Sequence, residues 1–405
     1  MVEGPGTPEE KRPSFFMLAG EASGDFQAAL LGQQIVRLCP GASLAGVGGP
    51  MMRQAGFCLL YDSSNWGAMG LSQAAPKIPG LLLALRRIVA FLKRFPPDLA
   101  ILLDFGAFNL RLGPRLKGLG IPVLYCFPPG SWSKQRRDPR RLAEACNVVV
   151  SPFPWSAEAL RGQGLEAHFF GHPLLDVYGS PGDPDSQESD GDSTSPTSNA
   201  KPIIGLFPGS RRHEVRHTLP HILSAAVKIA ERLPDATFIV SQAATVDSSI
   251  FTSLLRQRGG RRAQLQVERT SDTPSLLRTC TLAIVTSGTI TLEAALCGVP
   301  MVVLYRGSLA MWLQYRLFLR SLVHMAMPNI LAGRTIVPEL LQREACGERI
   351  AHEALNILLN PQVYERMRSD LLQCTSALQP RGAVEKTARL ALQMAGVCEA
   401  SAGQV

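Results

Sequence analysis

The apolar positions of this chain fall into short runs that end abruptly at small or acidic residues. The clearest example is LAIVTSGTITLEAALCGVPMVVLYR, residues 282–306. An apolar run ends at Thr286, a Ser287-Gly288-Thr289 turn follows, and a short helical stretch carrying Glu293 leads to a second apolar run, Val299–Tyr305. The pattern predicts strand, turn, helix, strand. A helix that starts on Ser, Gly and Thr offers backbone N–H groups to an anion, usually a phosphate. A glutamate one turn further in can reach a ribose hydroxyl. An ordinary strand–helix unit has the same pattern, so this stretch alone leaves both readings open.

The pattern recurs along the chain. Phe15–Ala19 predicts a strand, followed by Gly20-Glu21-Ala22-Ser23-Gly24-Asp25 and a helix from about Phe26 to Cys39. Leu44–Pro50 predicts a short strand with a glycine turn, Leu99–Leu103 a buried strand ending at Asp104, and Val123–Phe127 and Asn147–Val150 two more. A second series opens with Ile203–Phe207 and the turn Pro208-Gly209-Ser210-Arg211. A helix from Pro220, a residue suited to a first helical position, to Leu233 is expected next, with further strands at Thr237–Val240 and Leu282–Val285. Strands alternating with helices imply parallel sheets covered on both faces. Functional residues in such sheets gather at the carboxyl ends of strands. Glu21 to Asp25, Asp104 to Asn109 and Pro208 to Glu214 all fall there.

Composition agrees with a large folded protein. With 405 residues, 46% hydrophobic and 18% charged, two domains are expected. No run approaches the roughly 20 apolar residues of a spanning helix, and MVEGPGTPEEKRPS reads as a disordered tail rather than a signal peptide. Residues 180–200 hold five acids and no base. Their Ser/Pro/Gly/Asp composition predicts a disordered linker, and without them the net charge rises from +8 to +13. That favours anionic partners, whether nucleotide phosphates, nucleic acid or a bilayer surface. Nine scattered cysteines with no CxxC pair signal neither zinc nor disulfides and read mostly as buried thiols in a reducing cytoplasm.

The motifs AGEASGD (19–25), GVGGPMM (46–52), MGLS (69–72), Asp104 with Phe108-Asn109, FFGHPLLD (169–176), PGSRRHEV (208–215), TSGTITLEAAL (286–296), PMVVLYR (300–306) and PNILAGRTIVPELLQ (328–342) resemble, in order, those of the lipid-A-disaccharide synthase family. The resemblance implies an α/β fold of two Rossmann-like domains of the GT-B type with a cleft between them. The corresponding division is a tail at 1–14, an acceptor-side domain at 15–178, an acidic linker at 179–201, a UDP-sugar-binding domain at 202–370, and a C-terminal helix at 371–405 that packs back toward the first domain. It implies an inverting glycosyltransferase that moves 2,3-diacylglucosamine from its UDP derivative to a lipid-linked glucosamine 1-phosphate, forming a β-1,6 disaccharide and releasing UDP. Three departures fall in the first half. Ala107 stands where the family has a second aspartate, the family's S-P-S-V-W-A-W-R stretch is rewritten at 127–134, and its glutamate after M-G is Gln73.

On this reading Asp104 is the general base and Glu21 its neighbour in the catalytic site. Asp25 caps the helix that follows it. Ser23, Asn109 and Asn329 line the acceptor site and cleft. Gly209, Ser210 and Arg211, with Ser287, Gly288, Thr289 and Glu293, hold UDP, since a guanidinium matches phosphate oxygens and Glu293 the ribose. His213, His217 and His221 recur every four residues, but Pro220 interrupts their helix, so no metal is expected, and no cofactor. Pro79–Phe95 sets Arg86, Arg87, Lys93 and Arg94 among apolar residues, as an interfacial helix does, and Ser308–Met327 is similar; a core helix with snorkelling arginines has the same pattern. Expected partners are a UDP-sugar donor, a glycolipid acceptor and an anionic membrane surface, with no nucleic acid. A homodimer is left open. The expected location is the cytoplasm, at the inner face of the cytoplasmic membrane. Alternatives are another lipid acceptor, a UDP-sugar epimerase, and a non-catalytic paralogue that binds UDP-sugar or glycolipid.

Overall fold

The computed structural model describes residues 12–64, 66–67, 75–131, 139–179, 201–243, 246–256, 267–306 and 324–397. The acidic stretch 180–200, Gln73 and most of Ser308–Met327 lie outside them. The described residues form two compact units. The first comprises those within 12–67, 76–170 and 382–397, and the second Ala75 and those within 171–381.

Seven strands build the first unit: β1 (Ser14–Ala19), β2 (Ser43–Gly48), β3 (Cys58–Asp62), β4 (Leu99–Leu103), β5 (Val123–Cys126), β6 (Val148–Val150) and β7 (Glu166–His168). They pair in the order β3-β2-β1-β4-β5-β6-β7, every neighbour parallel. Its helices begin with α1 (Ala22–Leu38), α2 (Pro50–Gln54), α3 (Ile78–Arg94), α4 (Gly106–Gly118), α5 (Arg140–Ala145) and α6 (Pro154–Arg161). The alternation of β1 explains the layering. Phe15, Met17 and Ala19 enter the core that includes Ala28, Leu31 and Ile35 of α1. Phe16 and Leu18 enter the opposite core, with Leu85 and Ile88 of α3 and Leu112 of α4. A strand buried on both faces must be apolar at consecutive positions, which is why β1 and β4 read as unbroken runs.

The second unit repeats the plan with β8 (Ile203–Phe207), β9 (Thr237–Ser241), β10 (Val267–Thr270), β11 (Leu282–Thr286), β12 (Met301–Tyr305) and β13 (Glu339–Leu341). The order is β10-β9-β8-β11-β12-β13, again all parallel. Its helices are α7 (Leu174–Tyr178), α8 (Arg212–Ala230), α9 (Ser248–Arg256), α10 (Thr273–Thr279), α11 (Thr289–Leu296), α12 (Met327–Ala332), α13 (Gly347–Leu359) and α14 (Pro361–Thr375). A last helix, α15 (Ala383–Met394), belongs to the first unit, where Ala388, Ala391 and Leu392 join the core beneath α1. The crossings therefore fall at 170/171 and 381/382 rather than near 178 and 371. The reason is packing: α7 lies against α11, and α14 against α11, α12 and α13, all within the second unit.

Three local expectations are corrected. The helix expected from Pro220 begins eight residues earlier, at Arg212, and Pro220 sits inside it. Its start is fixed by Glu214, whose carboxylate accepts the backbone N–H groups of Ser210 and Arg211. Of the eight described cysteines only Cys126, Cys146 and Cys280 are buried, and Cys58 is exposed.

Asp25 does not cap α1. It is 3% exposed, and its carboxylate accepts the N–H groups of Gly49 at 2.7 Å, Met51 at 3.0 Å and Met52 at 3.1 Å. These are the donors at the start of α2, whose remaining N-terminal position is Pro50, which has none. Asp25 thus ties the first turn of α1 to the end of β2. Asp25→Ala leaves three inward-facing N–H groups without an acceptor. It should lower the unfolding free energy of the first unit by about 2–4 kcal/mol, measured as a shift in the urea midpoint. An unchanged midpoint would mean that water replaces the carboxylate.

Candidate functional site

In each unit the strand order reverses beside the first strand, β1 in one and β8 in the other. Such a switch point leaves a crevice outside the carboxyl ends of the strands, because the two crossovers depart to opposite faces. Most of the sequence-selected residues lie at these two places.

In the first unit Ala19 pairs with Leu103, so Gly20-Glu21 and Asp104-Phe105 leave the sheet side by side. The Phe105 ring lies over Gly20 and leaves no room there even for a Cβ. Asp104 and Phe105 both adopt left-handed backbone conformations, with φ of 47° and 43°. Two consecutive non-glycine residues in this region cost roughly 1–2 kcal/mol each. The turn persists because its carbonyls are clamped. The buried Tyr125 hydroxyl donates to the Asp104 carbonyl at 2.8 Å, and Asn109 Nδ2 donates to the same carbonyl at 2.8 Å and to that of Leu103 at 3.2 Å. Burial, together with the Asp104 charge, holds the Tyr125 phenol well above its ordinary range, so it remains a donor. Trp66, Phe105 and Phe108 form an aromatic cluster beside the turn, with centroid separations of 5.4–6.2 Å. Asp104, Glu21 and Ser23 are half-buried. Glu21 is the N-cap residue of α1, but its side chain makes no capping bond.

Asn109 does not line a surface. It is fully buried, and its amide fixes the backbone that presents Asp104. Asn329 is corrected in the same way. It is also fully buried; its Oδ1 accepts from Ile336 N at 2.7 Å and Val337 N at 3.0 Å, while Nδ2 donates to Val337 O and to Glu339 Oε1. Glu339 in turn accepts the N–H groups of Met325 and Ala326, and Met327 N donates to Thr291 Oγ1 of α11. Asn329 is therefore the knot that holds residues 325–327 against the start of α11.

In the second unit Val285 pairs with Phe207, so the turns 208–211 and 287–289 emerge from adjacent strands. Gly209 has φ of +111°, and a Cβ there would meet Glu214 Oε2 at 2.6 Å; only glycine lets the turn close on that carboxylate. Glu214 Oε1 accepts from Arg211 Nη1 at 2.9 Å, which holds the half-buried guanidinium at the strand end. Gly288 opens α11 with free space where a Cβ would stand, and Gly288 and Thr289 are exposed. Ser287 is tethered by its N–H to Leu304 O and by its hydroxyl to Met325 O. Glu293 turns away from solvent, and Oε2 accepts the Tyr178 hydroxyl at 2.6 Å. Burial pushes the Glu293 carboxyl up from its ordinary range, and the Tyr178 bond opposes that rise.

The sequence reading missed Tyr178 and the role of Glu214. A glutamate at the third helical position, the reciprocal half of a capping box, is the local signal for the second; nothing local signals the first, since its partner is 115 positions away. His213, His217 and His221 share the uninterrupted helix α8, and His217 Nδ1 lies 2.7 Å from His213 O. Among the described residues no group of three His, Cys, Asp or Glu side chains is arranged to hold a metal ion.

Helix α3 carries two faces. Ala84, Leu85, Ile88 and Leu92 are buried in the core. Ile78, Leu82 and Leu83 of α3 and Phe95, which follows it, are about half exposed, as are few other large apolar residues among those described. Arg86, Arg87, Lys93 and Arg94 are exposed among them. No described helix is long and apolar enough to cross a membrane.

Comparison with known proteins agrees with this architecture. Among solved structures, an MnaA–UDP structure from S. aureus superposes with a TM-score of 0.59 at 11% identity, covering 97% of this chain and 100% of that one. MurG of Acinetobacter baumannii gives 0.56 at 16%, covering 94% and 99%. Both are similar in fold. Among curated proteins, the lipid-A-disaccharide synthase of Anaeromyxobacter dehalogenans (strain 2CP-C) is 37% identical over 91% of this chain and 94% of its own length. Those of Nitrosococcus oceani and Geobacter sulfurreducens are each 34% identical, over 89% and 94% of this chain and 91% and 97% of their own lengths. The family model described as lipid-A-disaccharide synthetase matches residues 15–393. With both sheets, both switch points and nearly the whole length accounted for, the chain belongs to the lipid-A-disaccharide synthase family of glycosyltransferases.

Proposed function

We propose that this chain transfers an acylated glucosamine from its UDP derivative to a lipid-linked glucosamine 1-phosphate, with Asp104 as general base and Arg211 and the 287–289 turn as the UDP site. The observation that carries the reading is the strained, doubly clamped turn at Asp104, since strain of this kind persists where it presents a reacting group. Asp104 takes the proton of the acceptor hydroxyl while that oxygen bonds to the anomeric carbon. The bond from that carbon to the β-phosphate oxygen breaks, and UDP leaves with the electron pair. This is the chemistry of an inverting displacement with an alcohol in place of water. The Arg211 guanidinium and the N–H groups at the start of α11 receive the charge that develops on the diphosphate. Glu293 accepts from the ribose hydroxyls. The aromatic cluster of Trp66, Phe105 and Phe108 supplies an apolar wall suited to acyl chains.

The basic and apolar outer face of α3 supports contact with an anionic membrane surface, where both lipid substrates reside. The protein is then peripheral at the inner face of the cytoplasmic membrane.

UDP should raise the melting temperature of the wild-type chain, and Arg211→Ala should remove most of that rise. An undiminished rise would take Arg211 out of the site. Asp104→Asn should cut turnover at least about 100-fold while UDP affinity, measured calorimetrically, stays within about twofold. Full activity would assign the base elsewhere, with Glu21 the next carboxylate along the sheet edge. Wild-type protein that binds UDP but transfers to no lipid-linked sugar would favour a non-catalytic binding protein, and Ala107→Asp would then restore the family's second acid. Vesicles rich in anionic lipid should retain the protein at low salt and release it progressively as ionic strength rises. Arg86→Glu with Arg87→Glu should abolish retention without lowering the melting temperature; retention by the double variant would move the contact off α3.

A further inference from the structure

Tyr178 ends α7, and Gly179, at φ of +84°, turns the chain away immediately after it. The ring is buried, at 6% exposure, and α7 packs directly on α11. The Tyr178 hydroxyl lies 2.6 Å from Glu293 Oε2, a length typical of a hydroxyl donating to an ionised carboxylate. Arg278 of α10 secures this arrangement from outside. Its Nη2 donates to Val177 O at 2.8 Å, and its guanidinium stands 5.9 Å from the Tyr178 ring centroid. Among the described residues Glu293 Oε1 has no hydrogen-bond partner.

A half-buried carboxylate one turn inside a helix, with no ion pair to a described residue, is favoured in its charged form by the hydrogen bonds that it accepts. Burial alone favours the protonated acid, which would offer a donor where a ribose needs an acceptor. It would also leave the side chain free to rotate about its terminal bonds. One fixed donor on Oε2 answers both problems. It favours the carboxylate, and it orients Oε1.

We propose that Tyr178 is a positioning residue for nucleotide recognition: its hydroxyl holds one oxygen of Glu293 so that the other accepts the vicinal hydroxyls of the donor's ribose. This rests on the assignment of Glu293 to the ribose made above, and it adds the residue that makes Glu293 selective for a ribonucleotide. Tyr178 touches neither reacting atom. Its contribution is to binding discrimination and not to the transfer step.

The test compares UDP with 2′,3′-dideoxy-UDP on the full-length chain by titration calorimetry, using wild type, Tyr178→Phe, Glu293→Gln and the double variant. Wild type should prefer UDP by about tenfold or more, as expected for hydrogen bonds to a charged group. Tyr178→Phe keeps the ring and its packing. It should lose most of that preference, weakening UDP binding about tenfold while dideoxy-UDP affinity stays within about twofold. The double variant should be no worse than Glu293→Gln, because the two side chains act as one unit. Equal weakening for both nucleotides in Tyr178→Phe would mean a general structural role and overturn the proposal. So would full discrimination in that variant while Glu293→Gln loses it. Discrimination retained by Glu293→Gln would instead overturn the ribose assignment itself. Should the phenylalanine variant fold poorly, Tyr178→Gln and Tyr178→Leu carry the same question, since both lose the ring and only the first keeps a donor. Greater preference for UDP in the glutamine variant supports the proposal, and equal loss in the two defeats it.

Discussion

Parallel pairing is the constraint from which the rest of this structure follows. Every neighbouring pair in both sheets is parallel. Each strand must therefore be followed by a crossover that returns the chain to the starting edge. Within each sheet the turns that lead out of strands then lie along one edge, and the helices that begin there point their N-termini at it. The consecutive apolar residues of β1, β4, β8 and β11 are the sequence's way of burying both sheet faces. The polar motifs at 20–25, 104–109, 208–214 and 287–293 are what remains where burial ends. Chemistry collects at that edge because it is the place where a parallel sheet releases its chain from the core.

Release alone would leave flexible loops. What distinguishes these turns is that each half-exposed polar residue is held by another that is better buried. Asp104 is held by Tyr125 and Asn109, and Arg211 by Glu214. The start of α11 is held by Asn329 through Glu339 and Thr291, and Glu293 by Tyr178. A buried polar group without a partner costs about 1–3 kcal/mol. Satisfying it with a fixed neighbour removes that penalty and at the same time removes a degree of freedom from the site. The same hydrogen bonds serve stability and preorganisation.

This pairing also explains what could be read from the sequence and what could not. The buried strands were legible because two-sided burial writes itself as an apolar run. The edge strands β3, β7, β10 and β13 were not, since a short strand covered on fewer sides mixes polar and apolar positions, as in Val267-Glu268-Arg269-Thr270. The start of α8 was missed because Pro220 imitates a first helical position, whereas Glu214 sets the true one. The candidate site was legible at the level of turns, where motif and strand end coincide. It was not legible at the level of individual side chains. Asn109 and Asn329 carry the same amide whether they face a ligand or tie down the backbone, and only burial separates the two. Asp25 shows this most plainly: its position in the first turn of α1 suggested a local cap, and its actual partners lie 24 to 27 residues away. Tyr178 and Glu293 share no local pattern at all.

Among the described elements, helix α3 carries a pattern that exceeds what the core requires. Ala84, Leu85, Ile88 and Leu92 already supply the inward stripe that a helix against a sheet needs. Large apolar residues on a soluble surface are ordinarily scattered singly. Here Ile78, Leu82, Leu83 and Phe95 gather on one helix and its end, with Arg86, Arg87, Lys93 and Arg94 among them. None of the four basic side chains forms an ion pair with a described residue. The Arg94 guanidinium instead lies 5.3 Å from the Phe95 ring centroid, where it sheathes the aromatic face while keeping its charge outward. On the interfacial reading the two kinds of residue do separable work. Apolar side chains contribute an attraction that salt does not screen, and basic side chains contribute one that it does. A solvated helix has no use for the first, and a core helix has no use for the second. Their coexistence on one outward face is the observation that supports the proposed contact with a lipid surface.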